Sequence, residues 1–503
     1  MAKAREFRNY IGGRWVPARS GHTVENRNPA DDREVIGRFP ASGAADVDAA
    51  VAAAREAFRG WSLVPPPRRG EILYKVGTVL RERKEEIARI LTREMGKVIA
   101  EGRGDVQEGI DTAFYAAGEA RRLFGQTTTS ELPNKFAMSV RVPVGVCALI
   151  CPWNFPMAIP TWKIFPALAA GNTVVFKPAT DTPYTGLKLV EVLIDAGVPA
   201  GVVNFICGSG GEVGEALAAH PEVDLISFTG STAVGRRLAE VCGKNLKRLS
   251  LEMGGKNAEL VMDDADLELA LEGALWGAFG TAGQRCTATS RIILHKKIAA
   301  KFTRELVRRA KRLKLGDGLD ESVQVGPVIN AKQLEGIHAY MAVARKDGAK
   351  ILCGGAPVKA GRLERGHFYA PTVLDGVRPE MRVAREEIFG PVVSLLECSS
   401  LEEGIEILNA TDYGLSSSIY TRDVNRAFRA IRDFQAGIVY VNGPTIGAEI
   451  GLPFGGVKGT GNGHRESGVA VYDTYTEWKS VYVDYSGKLQ RAQIDTDALA
   501  GVE

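Results

Sequence analysis

The stretch VGVCALICPWNFPMAIPTWKIFPALAAGNTVVFKPAT, residues 144–180, decides the fold. It opens on an apolar run and closes on the β-branched run TVVFK. Similar runs recur as VVNFI at 202–206 and VDLISFT at 223–229. Helical stretches or Pro/Gly turns separate them. Such a β–α–β–α rhythm argues for a parallel, doubly wound α/β sheet. Within this region Val142 to Trp162 run 21 positions without a charge, long enough to suggest a membrane span. Pro143, Pro152, Pro156 and Pro160 would cost a spanning helix too many backbone hydrogen bonds. The segment therefore reads as a buried strand followed by a buried loop.

Upstream, residues 10–40 alternate short apolar stretches with Gly, Asn and Pro, a strand-and-turn opening. Val47, Val51, Ala54 and Phe58 then fall on one helical face, and helical patterns continue to about residue 124. Downstream lies a second α/β series. DLELALEGALWGAF (266–279) reads as a helix, SRIILH (290–295) as a strand and AKFTRELVRRAKRL (300–313) as a basic amphipathic helix. Turn-rich strands lie near 348–376, and 401–442 alternates helix and strand twice. WKSVYVDYS, 478–486, reads as a terminal strand. Two α/β layers without a linker imply domains facing each other across a cleft, where ligands usually sit.

Of the 503 residues, 45% are hydrophobic and 24% charged, which excludes disorder for the bulk of the chain. A net charge of +3 is too balanced for a nucleic-acid or membrane-surface protein. The 57 glycines, about 11% of the chain, show no collagen-like period and belong in turns and ligand-approaching loops. Seven cysteines are scattered without C-x-x-C spacing, and no His lies near Cys147 or Cys151. No metal site is expected, and reduced cytoplasmic thiols are. MAKAREFRNYIGG has no apolar core, so no signal peptide is expected.

Several residues could carry chemistry. Gly208 to Gly214 misses the G-x-G-x-x-G spacing by one residue. Gly230-Ser231 follows a strand and opens a helix, a generic anion site; Arg236 and Arg237 where a P-loop needs Lys-Ser/Thr exclude that motif. Cys286, in GTAGQRCT, has small, polar or basic neighbours, and Arg285 with a helix start could lower its pKa. Glu252, beside Gly254 and Gly255, could be a general base. Asn154 is an amide in apolar company that needs partners. Lys177 ends a strand at the sheet edge where open α/β folds bind ligands. On local pattern alone, plain turns, a bystander Cys and a solvated Glu remain open.

Together, PWNFP (152–156), FKP (176–178), FTGST (228–232), LEMGGK (251–256), GQRCT (283–287), EIFGP (387–391) and PFGG (453–456) resemble the NAD(P)-dependent aldehyde dehydrogenase superfamily. The resemblance runs from Tyr10 to about Tyr485. It implies an aldehyde dehydrogenase-like α/β fold in three parts. A Rossmann-type cofactor domain would take residues 1–126 and 144–254, and an α/β catalytic domain 255–455. A small oligomerisation β-arm with the C-terminal segment would take 127–143 and 456–503. Homo-oligomers, dimers or tetramers, are implied, with a small aldehyde as the other partner and neither nucleic acid nor membrane.

The same resemblance implies roles. Cys286 would attack the aldehyde, Asn154 and the Cys286 backbone N–H would hold the oxyanion, Glu252 would activate water, and Lys163 would join a proton relay with Glu252. Ile150, Trp153, Lys177, Gly210, Phe228, Gly230, Ser231, Glu387 and Phe389 would contact the cofactor. Thr180 stands where many relatives carry a ribose-binding Glu, so NADP is expected, with NAD as the alternative. Glu108, Arg285, Gly447 and Ala448 match substrate-contacting positions of the aminoadipate-semialdehyde branch, while GQRCTATSR is similar to the 2,5-dioxopentanoate branch. Both imply a carboxylate-bearing semialdehyde. A CoA-acylating relative and a catalytically silent structural homologue are the rivals; retention of Glu252 argues against the first, and of Cys286, Glu252 and Asn154 against the second.

Overall fold

The computed structural model describes residues 5–494. The parts of the first and last expected segments at 1–4 and 495–503 lie outside the described residues. The strands Val146–Ile150 and Thr173–Lys177 are buried at every position, as in parallel strands covered on both faces. With Val203–Phe205, Leu225–Thr229 and Arg248–Glu252 they form the parallel part of a seven-stranded sheet. The hairpin Asn9–Ile11 and Arg14–Val16 adds two antiparallel strands at one edge.

One expectation is corrected. The loop expected through residue 162 ends sooner, because Ala158–Ala170 is a helix whose every residue is buried. With no polar face it shows no helical period, which hid it. Pro160 is tolerated because it lies in the first turn, where backbone N–H groups lack intrahelical partners. Val142 and Pro143 belong to a different strand, Lys135–Pro143.

A second seven-stranded sheet runs Lys350–Cys353, Thr372–Asp375, Val392–Cys398, Arg291–His295, Ala258–Val261, Ser416–Tyr420 and Ile438–Val441. All neighbours are parallel except the first pair. The helix Ala331–Asp347, absent from the sequence reading, packs beside it. Asn330 caps its start by accepting the Gln333 N–H at 2.9 Å. A third, antiparallel sheet pairs Thr476–Asp484 with Lys135–Pro143 over nine residues and adds Gln126–Thr128.

Separate apolar cores fill the two large units, and a small cluster of Trp162, Leu415 and Phe454 lies between them. The carboxyl ends of the first sheet's strands, with Ile150, Lys177, Thr229 and Glu252, thus open onto the cleft, the usual ligand edge of an open α/β sheet.

Candidate active site

Cys286 follows a short 3₁₀ turn, Gly280–Gly283. Thr281, Ala282 and Gly283 all take positive φ values of 53°, 53° and 69°. Gly283 is required there: a Cβ would stand 2.1 Å from the Gly390 carbonyl oxygen. The Cys286 carbonyl accepts the Asn257 side-chain amide at 2.7 Å, which ties it to the start of the strand Ala258–Val261. The expectation that Arg285 and a helix start lower its thiol is overturned. No helix begins at Cys286, and the Arg285 guanidinium is engaged by Glu101 at 2.9 Å. Burial, with the Glu387 and Glu252 carboxyls nearby, pushes the thiol up to about 12. Cys286 is nevertheless the one half-exposed cysteine; the other six are buried, and all seven are unpaired.

Glu252 ends the strand Arg248–Glu252 and is 3% exposed. Neither carboxyl oxygen has a hydrogen-bond partner among the described residues. Burial first, then the neighbouring Glu466, raises it well above the ordinary carboxyl range. Gly455 makes room for it, since a Cβ there would lie 2.5 Å from Glu252 Oε1. Lys163, expected to join a proton relay with Glu252, donates to Ser227 Oγ at 2.8 Å and forms a buried ion pair with Glu466, and the charges of both act on Glu252. The sequence reading missed Glu466. Its setting, GHRESG, looks like a polar turn, and only folding places it beside Lys163 in the cavity wall.

Asn154 is 3% exposed and donates through Nδ2 to the Gln284 carbonyl at 3.1 Å. An amide nitrogen carries two protons, so one remains. The bond also joins the two sheets beside Cys286.

Two spaces meet at Cys286. A cavity of about 110 Å³ takes Glu108, Arg285, Cys286, Gly447, Ala448 and Glu466 among its walls. All four expected substrate residues line it. Phe155, Trp162, Leu415 and Phe454 supply its apolar faces; these were not singled out because a wall residue has no local sequence signature. Arg285 is stacked between the Phe155 and Trp276 rings, 5.4 and 5.8 Å from their centroids. Burial pushes Glu108 up to about 8.

The second space is a groove of about 380 Å³ between the sheets, lined by Trp153, Asn154, Gly230, Ser231, Cys286, Glu387 and Phe389. Its fit to a dinucleotide rests on several features. Thr229, in this lining, buries a hydroxyl without a partner among the described residues at the strand-to-helix turn. Ser231 caps the helix Thr232–Lys244, whose amino end carries unpaired N–H groups. A Cβ at Gly254 would stand 2.3 Å from Glu387 Oε2, so the backbone there must stay bare. Glu387 accepts the Gly255 N–H at 2.9 Å, and burial pushes it up to about 7. Trp153 and Phe389 meet edge-to-face, centroids 5.4 Å apart. Ile150, Lys177, Thr180, Gly210 and Phe228 stand outside this lining, further along the same sheet edge. Ile150 is in register with Lys177 and with Phe228, and Thr180 Oγ1 donates to the Gly208 carbonyl at 3.2 Å.

Comparison with known proteins gives consistent answers. Residues 15–481 match the family described as the aldehyde dehydrogenase family. An alpha-ketoglutaric semialdehyde dehydrogenase of Bacillus subtilis is 42% identical, over 96% of this chain and 99% of that one. A 2,5-dioxopentanoate dehydrogenase of Saccharolobus solfataricus is 40% identical, over 94% and 98%. The crystal structure of betaine aldehyde dehydrogenase from Staphylococcus aureus in complex with NAD+ superposes with a TM-score of 0.94 at 36% identity, covering 96% of each chain.

Proposed function

The chain belongs to the aldehyde dehydrogenase family and oxidises an aldehyde to the carboxylic acid; from that premise we propose that its substrate is a short semialdehyde bearing a carboxylate, of the 2,5-dioxopentanoate type, and that NADP serves at least as well as NAD. The observation that carries the site assignment is that Cys286 forms part of the wall of both the small cavity and the long groove. An aldehyde in the one and a nicotinamide in the other would both face its sulfur.

The chemistry follows from the residues. Once its proton has passed to solvent, Cys286 attacks the aldehyde carbon as the thiolate, forming a C–S bond as the carbonyl π bond opens and placing negative charge on the former carbonyl oxygen. The spare Asn154 N–H and the Cys286 backbone N–H hold that oxyanion. When bound, the nicotinamide cofactor supplies a hydride acceptor. Glu252, unpartnered and raised, then takes a proton from the water that attacks the resulting thioester, releasing the acid and restoring the thiol. Lys163 and Glu466, behind Glu252, are placed to carry that proton away. The presence of this base favours hydrolysis over acyl transfer to CoA.

The cofactor would be held by Trp153, Gly230, Ser231, Glu387 and Phe389 along the groove. Ile150, Lys177, Thr180, Gly210 and Phe228 would serve its adenosine end, with Lys177 and Glu387 on the riboses. The semialdehyde assignment is supported by Arg285, the one cation lining the cavity among the described residues. Its Nε and one Nη2 proton are used on Thr281 and Glu101, leaving three N–H donors for a carboxylate. Glu108, protonated at neutral pH, can donate to a second substrate oxygen, with Gly447 and Ala448 leaving room opposite.

We assign the domains as cofactor (residues 1–126 and 144–254), catalytic (255–455), and oligomerisation arm with C-terminal segment (127–143 and 456–503). A homo-oligomer, dimer or homotetramer, is favoured by the exposed Phe136, Trp478 and Tyr482 on the three-stranded sheet. No helix among the described residues is long and apolar enough to cross a membrane, and seven unpaired thiols favour the cytoplasm. The test is a kcat/KM panel of 2,5-dioxopentanoate, aminoadipate semialdehyde and a neutral aldehyde of equal length, with Cys286→Ala as control. The carboxylate-bearing substrates should lead by at least tenfold and Cys286→Ala should be inactive; a neutral aldehyde used equally well would overturn the substrate assignment.

A further inference from the structure

The turn that presents Cys286 is held from outside its own unit. Thr281 and Ala282 occupy the left-handed region at φ 53°, which is costly for a residue with a Cβ and more so for a β-branched one. Such a conformation persists only where its surroundings over-determine it. Within its own unit the turn is held by Gln284, whose backbone and side-chain N–H groups both donate to the Thr281 carbonyl at 3.1 Å; from across the cleft it is held by one carboxylate. Glu101, in the first turn of the helix Ile99–Glu119, accepts the Thr281 N–H at 3.0 Å on both oxygens and the Thr281 hydroxyl at 3.1 Å. It also accepts Arg285 Nη2 at 2.9 Å, while Arg285 Nε donates to Thr281 Oγ1 at 3.0 Å. Both side chains of the ion pair are nearly buried, 11% and 12% exposed. The same turn carries the Gln284 carbonyl that accepts Asn154. Displacing it would move the nucleophile and the oxyanion donor relative to each other.

We propose that Glu101 is a positioning residue: it stabilises the left-handed Thr281–Ala282 turn across the cleft and so sets the place of Cys286 against Asn154, while orienting Arg285 in the cavity wall. The inference rests on Cys286 being the nucleophile. Glu101 touches no reacting atom, and its effect is transmitted through Thr281 and Arg285.

The experiment uses full-length Glu101→Ala, Glu101→Gln and the double variant Glu101→Ala/Thr281→Gly, with Cys286→Ala alongside. Cofactor affinity is measured by quenching of protein fluorescence, and kcat by release of reduced cofactor. Glu101→Ala should lose at least tenfold in kcat with cofactor affinity within twofold of wild type. Glycine at 281 accepts the left-handed conformation without strain, so the double variant should recover at least a third of the lost rate constant. Glu101→Gln, whose amide oxygen still accepts the Thr281 N–H, should fall between. Wild-type kcat in Glu101→Ala, or a loss that glycine at 281 does not repair, would overturn the proposal. If Glu101→Ala binds no cofactor, the same comparison is made in the Gln background; loss of binding there too would show a general scaffold role and overturn it equally. Activity surviving in Cys286→Ala would instead sink the assignment of the nucleophile.

Discussion

Cofactor choice is the sharpest test, through Thr180→Glu. Thr180 is exposed at the end of the strand Thr173–Lys177. The neighbouring Asp181 is already occupied: its carboxylate accepts Asn330 Nδ2 at 3.0 Å and its carbonyl accepts Asn26 Nδ2 at 2.8 Å. One oxygen of its carboxylate is therefore committed to Asn330. Among the described residues Lys177 Nζ donates to the Pro178 carbonyl alone, at 3.0 Å, so two ammonium protons remain. This mouth presents the Lys177 ammonium, with the Thr180 hydroxyl donating to Gly208 and the Asp181 carboxylate engaged by Asn330, and the positive charge suits a 2′-phosphate. The substitution reverses that. At an exposed site two unit charges ~4 Å apart interact by ~1 kcal/mol, and a phosphate monoester carries about −1.5 to −2 at neutral pH. Repulsion of about 1.5–2 kcal/mol follows, reduced by salt. Against NAD the same carboxylate gains a hydrogen bond from ribose hydroxyls worth about 1 kcal/mol. The preference should therefore move towards NAD by about 1–3 kcal/mol, roughly 5- to 150-fold. The assay is the ratio of kcat/KM for NADP and NAD in both proteins at one ionic strength. A wild-type enzyme that uses NAD at least tenfold better, or a ratio that Thr180→Glu leaves in place, refutes the reasoning.

Other expectations follow from the same geometry. Glu252→Gln should release a rapid first equivalent of reduced cofactor and then turn over slowly, because the base acts after oxidation; stopped-flow records with no burst would assign Glu252 to the first half-reaction. Asn154→Ala should lower kcat about 10²- to 10³-fold, as for removal of one oxyanion donor, with cofactor affinity retained; a loss under fivefold would exclude the amide from that role. Since Cys286 is held up to about 12, its thiolate fraction in the cofactor-free enzyme rises about tenfold per pH unit between pH 7 and 9. Iodoacetamide labelling should follow that slope, and a plateau below pH 8 would show a thiol already ionised.

Residue order and chemistry alone placed much of this protein. The runs at 146–150, 173–177 and 225–229 are strands because β-branched and apolar residues with turn punctuation suit buried parallel pairing, a local property. Cys286 and Glu252 were candidates because each breaks its surroundings, a thiol without apolar neighbours and a carboxylate beside paired glycines, and the run of family motifs around them decided between that reading and the plain one. What folding alone decided are relations between distant segments. The helix Ala158–Ala170 is buried all round, so its pattern carries no face and its identity comes from packing between layers. The thiol's environment was misjudged because Arg285 is adjacent in sequence, whereas Glu101, 184 residues away, takes its charge. Lys163 found Glu466 across 303 residues, and no periodicity encodes such a meeting. Burial, field and partner choice depend on three-dimensional distance, and they set the protonation of Cys286 and Glu252 and brought in Glu466, which no local pattern named.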